Sequence, residues 1–357
     1  MAKDRRAFWL IVKYFGFCAT IVALRGFGLA AVIHGTYSAE NFAIDTTALF
    51  CLMAFCHLLY FILGRALVSI GIVKPAPTVA VKAFFVVFLA LPFLFATIQL
   101  HPQKIAGLQH PSKLGIQFED VSLPAANLTL RGWLLNPGGS KPPLLLLHGL
   151  NANKGNFLPI AAAFAAVDYP VLIFDLEGHG ESDGRLTTLG FREKRDVAAG
   201  VAWLRSRYPG RAPVALGYSL GGAALLQFAA DDFPFQRIVV DATYSSLREI
   251  VDEKFLRFTG PFEPALWYQL TFWGKLWTGF DLSQVDNRDA LRKLDSSRLM
   301  LIHGTEDAMI SFRHCRLLEQ AARGPILVWE VKGANHLQTV TDPQYVSRVD
   351  AFLNGGS

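Results

Sequence analysis

The chain has 357 residues, four cysteines and a formal charge of +5, with 34 Lys/Arg against 29 Asp/Glu. Nine of the basic residues and three of the acidic ones fall in residues 1–104, which leaves the remainder near neutral. This excludes a clustered basic face for nucleic acid, and four cysteines are too few for a disulfide framework.

The first region, 1–104, is apolar. Three spans are expected, over 8–33, 46–70 and 80–100, with uncharged cores at Thr46 to Gly64 and Ala83 to Leu100. Each is long enough for a hydrocarbon layer of about 30 Å at about 1.5 Å per residue. Lys13 and Arg25 interrupt the first span, and Pro92 lies in the third, where a membrane helix tolerates it. A cleaved leader fits the first span poorly, because the apolar stretch is long and no small-residue cleavage site follows. A buried helical subdomain is the competing reading of the whole region. Lys3, Arg5 and Arg6 precede the first span, whereas the loop from His34 to Asp45 has no Lys or Arg. Positive charge marks the cytosolic side. An integral membrane protein is therefore expected, with its C-terminal domain on the non-cytosolic face if all three segments cross. If the first does not cross, that domain faces the cytosol.

From 105 onward the pattern changes. Gly115 to Leu123 and Asn127 to Leu135 read as strands joined by a turn at Pro124. Short apolar runs then alternate with helical stretches. The strands are expected at Leu144–Leu147, Val171–Phe174, Val214–Leu216, Arg237–Val240, Leu299–Ile302 and Ile326–Val331. Helices are expected at Phe157–Val167, Arg192–Tyr208, Leu220–Ala230, Phe312–Ala322 and Pro343–Leu353. This alternation implies an α/β fold, a mainly parallel sheet covered on both faces. Functional groups then gather at the C-terminal strand ends.

Those ends carry the chemistry. Gly217-Tyr218-Ser219-Leu220-Gly221 follows a strand and opens a helix. Such a turn holds a serine in strained geometry, with glycines two positions either side to avoid a clash. A serine capping an ordinary helix is the bland alternative. A serine hydroxyl needs an adjacent base, and a carboxylate fixes that base's tautomer. Asp307 follows Leu299–Ile302 and His336 follows Ile326–Val331, so Ser219, Asp307 and His336 all lie on strand-end loops. Asp241 also ends a strand and is a rival acid. The N–H groups of Leu220 and Leu150 are the expected oxyanion donors. His148, His179 and His303 read as residues that orient loops, and Cys315 as core.

Residues from about 115 to 355 resemble the α/β-hydrolase superfamily. The resemblance rests on His148-Gly149, Asp175-x-x-Gly178-His179-Gly180-x-Ser182, the Ser219 elbow, His303-Gly304-x-x-Asp307 and His336. Asp307 matches the family acid and His336 the family base. The membrane-anchored lysophospholipase, monoacylglycerol lipase and acyl-protein thioesterase-like branch is similar through the apolar N-terminus and Thr243-Tyr244-Ser245-Ser246-Leu247. The resemblance implies an α/β-hydrolase domain over 105–357 with a helical cap over about 244–295.

That insert is rich in aromatics and is broken by Pro261 and Pro264. Trp267, Phe272, Trp273 and Tyr218 are candidate substrate contacts, with packing as the alternative. The expected function is a membrane-anchored serine hydrolase that cleaves a lipophilic carboxylic ester or thioester. A serine exo-peptidase or amidase on the same triad, and a silent membrane scaffold, are the alternatives. No metal, organic cofactor or nucleic acid partner is expected. The expected partners are an acyl substrate and membrane lipid.

Overall fold

The computed structural model describes residues 88, 92–105, 109–257 and 259–355. The expected spans 8–33 and 46–70 lie outside these residues. Of the third, residues 92–100 form a helix. Among the described residues, no helix is long and apolar enough to cross a membrane. The chain divides into two compact units, Met1–Ile98 with Tyr268–Trp273, and Gln99–Trp267 with Gly274–Ser357.

The second unit is built on an eight-stranded sheet. Its strands are β1 (Phe118–Ala125), β2 (Leu128–Leu135), β3 (Leu144–Leu147), β4 (Val171–Phe174), β5 (Val214–Tyr218), β6 (Ile238–Asp241), β7 (Leu299–Gly304) and β8 (Leu327–Val331). The spatial order is β1-β2-β4-β3-β5-β6-β7-β8. β1 and β2 form an antiparallel hairpin and β2 meets β4 antiparallel. Every other neighbour is parallel.

The main helices are α1 (Leu158–Ala166), α2 (Lys194–Arg207), α3 (Leu220–Ala229), α4 (Glu263–Thr278), α5 (Arg313–Ala321) and α6 (Tyr345–Leu353). Alternation along β3 shows how they are sorted. Leu145 and Leu147 join a core that includes Val197 of α2, Leu225 of α3 and Cys315 of α5. Leu144 and Leu146 face the opposite core, with Phe164 of α1 and Val349 of α6. Both faces of β3 are buried, so its sequence is a run of four leucines.

Two local expectations change. The first turn does not fall at Pro124, which stays in β1 opposite Thr129. It falls at Ala126-Asn127, where Ala126 has φ 53°. β1 ends the sheet, and an edge strand accommodates a residue with no N–H. In the insert, Pro264 does not break a helix. It lies in the first turn of α4, where its missing N–H costs no intrahelical bond. The insert therefore holds a helical run over Leu247–Val251 and Asp252–Leu256, one 16-residue helix after Phe262, and a short helix at Asn287–Leu291.

Candidate active site

Ser219 has φ 51° and ψ −112°, a left-handed value that an L side chain rarely adopts. Its surroundings leave no other route for the chain. A Cβ on Gly217 would come within 2.6 Å of Gly221 O, and one on Gly221 within 2.6 Å of Leu147 O. The elbow is thus pressed against the end of β3. Gly222, which the motif did not single out, is equally confined, since a Cβ there would meet Thr243 Oγ1. Ser219 N–H donates to Asp241 O at 2.8 Å, and Thr243 Oγ1 donates to Ser219 O at 2.7 Å.

Gly149 faces Ser219: a Cβ there would lie 3.3 Å from Ser219 Cβ. The loop that carries Leu150 therefore runs beside the elbow, whose helix begins at Leu220. His148 orients this loop. Its Nδ1 meets Gly149 O at 2.8 Å while Nε2 accepts from Leu176 N–H at 3.0 Å. Burial pushes the ring's pKa down to about 4, so it stays neutral. His179 is held down to about 4 for the same reason.

The ends of β7 and β8 bring Asp307 and His336 together. Asp307 Oδ2 lies 2.7 Å from His336 Nδ1. Asp307 Oδ1 accepts from the N–H groups of Met309 and Ile310, both at 2.8 Å. Burial would raise this carboxyl, but hydrogen bonds from His303, His336 and Ile310 N–H outweigh it. The group is held well below the usual carboxylate range. His303 Nε2 sits 2.8 Å from Ile310 O and 3.4 Å from Asp307 Oδ2, bracing the acid loop. With Nδ1 committed to Asp307, Nε2 of His336 is the nitrogen left for proton transfer. The Tyr218 ring, next to Ser219, lies 5.4 Å from the His336 ring.

The rival acid, Asp241, is engaged elsewhere. Its Oδ2 accepts from Thr339 Oγ1 at 2.8 Å and from Tyr345 OH at 2.9 Å.

The four candidate substrate contacts divide between the two units, Tyr218 and Trp267 in the second and Phe272 and Trp273 in the first. Tyr218 is only 2% exposed and packs between Phe157 and His336, so it supports the base and does not line an open pocket. Trp267 lies under the Arg248 guanidinium, 4.6 Å from ring to charge. Phe272 and Trp273 belong to the first unit, where Trp273 meets Phe93 edge-on at 5.0 Å.

Three features carried no spacing signal. Asn335 Oδ1 accepts from Ala308 N–H at 3.0 Å and His336 N–H at 2.7 Å, which ties the acid loop to the base loop. Lys154 is buried, with Nζ 2.7 Å from Asp175 Oδ2 and 2.5 Å from Glu181 Oε2. Asp175 also accepts from Lys154 N–H, so it anchors the loop that follows β3. Finally, Met309 and Leu337, beside Asp307 and His336, are 60% and 64% exposed.

Residues 142–262 match the family model described as alpha/beta hydrolase fold. The chain is 24% identical over 235 residues to the uncharacterized protein YqkD of Bacillus subtilis, covering 63% of this chain and 75% of that one. It is 24% identical over 290 residues to the lysophosphatidylserine lipase ABHD12 of Bos taurus, covering 74% and 69%. A shorter stretch of 107 residues is 33% identical to human monoglyceride lipase, covering 29% and 35%. Among solved structures, the esterase Pf2001 of Pyrococcus furiosus superposes with a TM-score of 0.58 at 23% identity, over 71% of this chain and 98% of that one.

Proposed function

We propose that the chain is an α/β-hydrolase, a serine hydrolase acting on a lipophilic ester or thioester through Ser219, Asp307 and His336. The observation that carries this reading is the 2.7 Å contact between Asp307 and His336, together with an elbow serine at φ 51° whose neighbour Tyr218 packs against the His336 ring. Asp307 holds the Nδ1 proton, which leaves His336 Nε2 to take the proton of Ser219 Oγ. Oγ then attacks the carbonyl carbon, and the oxyanion is received by the N–H groups of Leu150 and Leu220. Donors of this kind are each worth about 100- to 1000-fold in rate. On collapse, His336 returns the proton to the departing alcohol or thiol. Water, deprotonated by the same nitrogen, then releases the acid from Ser219.

Two observations support an apolar acyl group: the open Met309 and Leu337 beside the triad, and the lipase names of two relatives. Apolar segments in 1–104 support membrane attachment, with the enzyme meeting substrate at the lipid surface.

The test is fluorophosphonate labelling of the wild type beside Ser219→Ala in membranes, followed by a chain-length series of esters. Labelling of the wild type alone is expected, with long-chain esters favoured. An unlabelled but folded wild type defeats the hydrolase reading. A preference for short, soluble esters defeats the lipophilic one.

A further inference from the structure

β6 ends in a residue that touches both halves of the site. The backbone carbonyl of Asp241 accepts from Ser219 N–H at 2.8 Å. Its side chain reaches the other way, to Thr339 Oγ1 and Tyr345 OH. Thr339 opens the 3-10 turn that begins three residues past His336, and Tyr345 opens α6. The next residue, Ala242, sits at φ 50°, a second non-glycine in the left-handed region beside the elbow. Strain of this kind costs about 1–3 kcal/mol and persists only where the surroundings over-determine it. Here it turns Thr243 so that its hydroxyl reaches Ser219 O. Oδ1 of Asp241 is buried with no hydrogen-bond partner among the described residues. A carboxyl kept in that setting, where an apolar residue could fill the space, serves something other than packing.

We propose that Asp241 is a positioning residue of the proposed hydrolytic reaction: one side chain at the end of β6 sets the His336 loop at a fixed place relative to the Ser219 elbow. The inference rests on the serine hydrolase reading. Asp241 holds no reacting atom and acts through Thr339 and Tyr345. Several groups face it: Tyr218 from β5, His303 from β7, Cys315 from α5, Tyr345 from α6, and His336 with its loop. Burial is the main influence on the carboxyl, and it raises the pKa to about 7 against the two hydroxyl bonds.

The experiment compares Asp241→Ala, Asp241→Asn and Thr339→Val with wild type. The reactive fraction is counted by fluorophosphonate titration, and kcat and KM are expressed per titrated site. Misplacing a reacting group by about 1 Å can cost about 100-fold. Asp241→Ala is expected to lose about 10- to 100-fold in kcat with KM little changed, and Thr339→Val less. Asp241→Asn keeps an acceptor for both hydroxyls and should restore most of kcat. Wild-type kcat per site in both Asp241→Ala and Thr339→Val, or an Asp241→Asn no faster than Asp241→Ala, overturns the proposal even if melting temperatures fall. Should Asp241→Ala fail to fold, Thr339→Val and Asp241→Asn carry the comparison. A wild type that takes no label points to failure of the hydrolase reading instead.

Discussion

The ends of β5, β7 and β8 and the insert between β6 and β7 hold their side chains by different means. At the strand ends, Ser219, Asp307 and His336 are all buried, and Asp307 and His336 are each held by several hydrogen bonds. The backbone there is strained at Ser219 and Ala242. On α4 of the insert, Tyr268, Phe272 and Leu276 are exposed at four-residue spacing, which puts them along one side of the helix. The start of α4 is held by an ion pair, Arg248 to Glu263, and by Arg248 over Trp267. Partly exposed pairs of that kind contribute little, typically about 0–1 kcal/mol. The first region is buried and tied by hydrogen bonds, and the second leaves apolar area open.

The sharpest way to break this contrast is Asp307→Asn. An amide in that place presents the wrong partner to Nδ1, and kcat should fall about 10⁴-fold with the fold retained. Steady-state kinetics with a circular-dichroism check would show it. A loss under tenfold would mean that the acid loop is not special. The same variant has a pH signature in stability. The folded carboxyl lies below its ordinary value of 3.8, so its stabilising contribution is full above that value. It fades as pH falls through the folded pKa. Asp307→Asn should flatten that acid limb in urea melts.

Next in size is Lys154→Met. It leaves Asp175 buried without its cation, a change that typically costs about 3–5 kcal/mol. Urea unfolding should register the loss while kcat per folded molecule changes only a few-fold. The smallest stability effect is expected on the insert. Phe272→Ser with Leu276→Ser should stay within about 0.5 kcal/mol of wild type per site. Hydrolysis of long-chain esters should still slow relative to short ones. Equal effects on both chain lengths would remove the insert from substrate choice.

The strand-end motifs were legible because each is local. β3, β4 and β5 are short apolar runs that stop at a glycine or a charged turn, and the elbow compresses its steric demands into five residues. Leu144–Leu147 and Val171–Phe174 come out with the expected bounds. What was hidden depends on pairing across the chain. Lys154 and Asp175 belong to separate loops, and nothing in either segment announces that their charges meet in the interior. Asp241 read as a spare acid because its two hydroxyl partners lie about a hundred residues on, past the base. Pro264 looked like a break because a proline starts and stops helices equally well on paper. Only the direction of the following chain decides between the two.

The order of the strands has one more consequence, in the making of the protein. Synthesis runs from the N-terminus, and domains fold as they emerge. The elbow on β5 therefore becomes available while β7, β8 and α6 are still unmade. A nascent Ser219 has neither His336 nor the Tyr345 hydroxyl that bonds Asp241. Until the far edge of the sheet is made, the strand end that carries Ser219 waits for the residues the finished domain sets around Asp307 and His336.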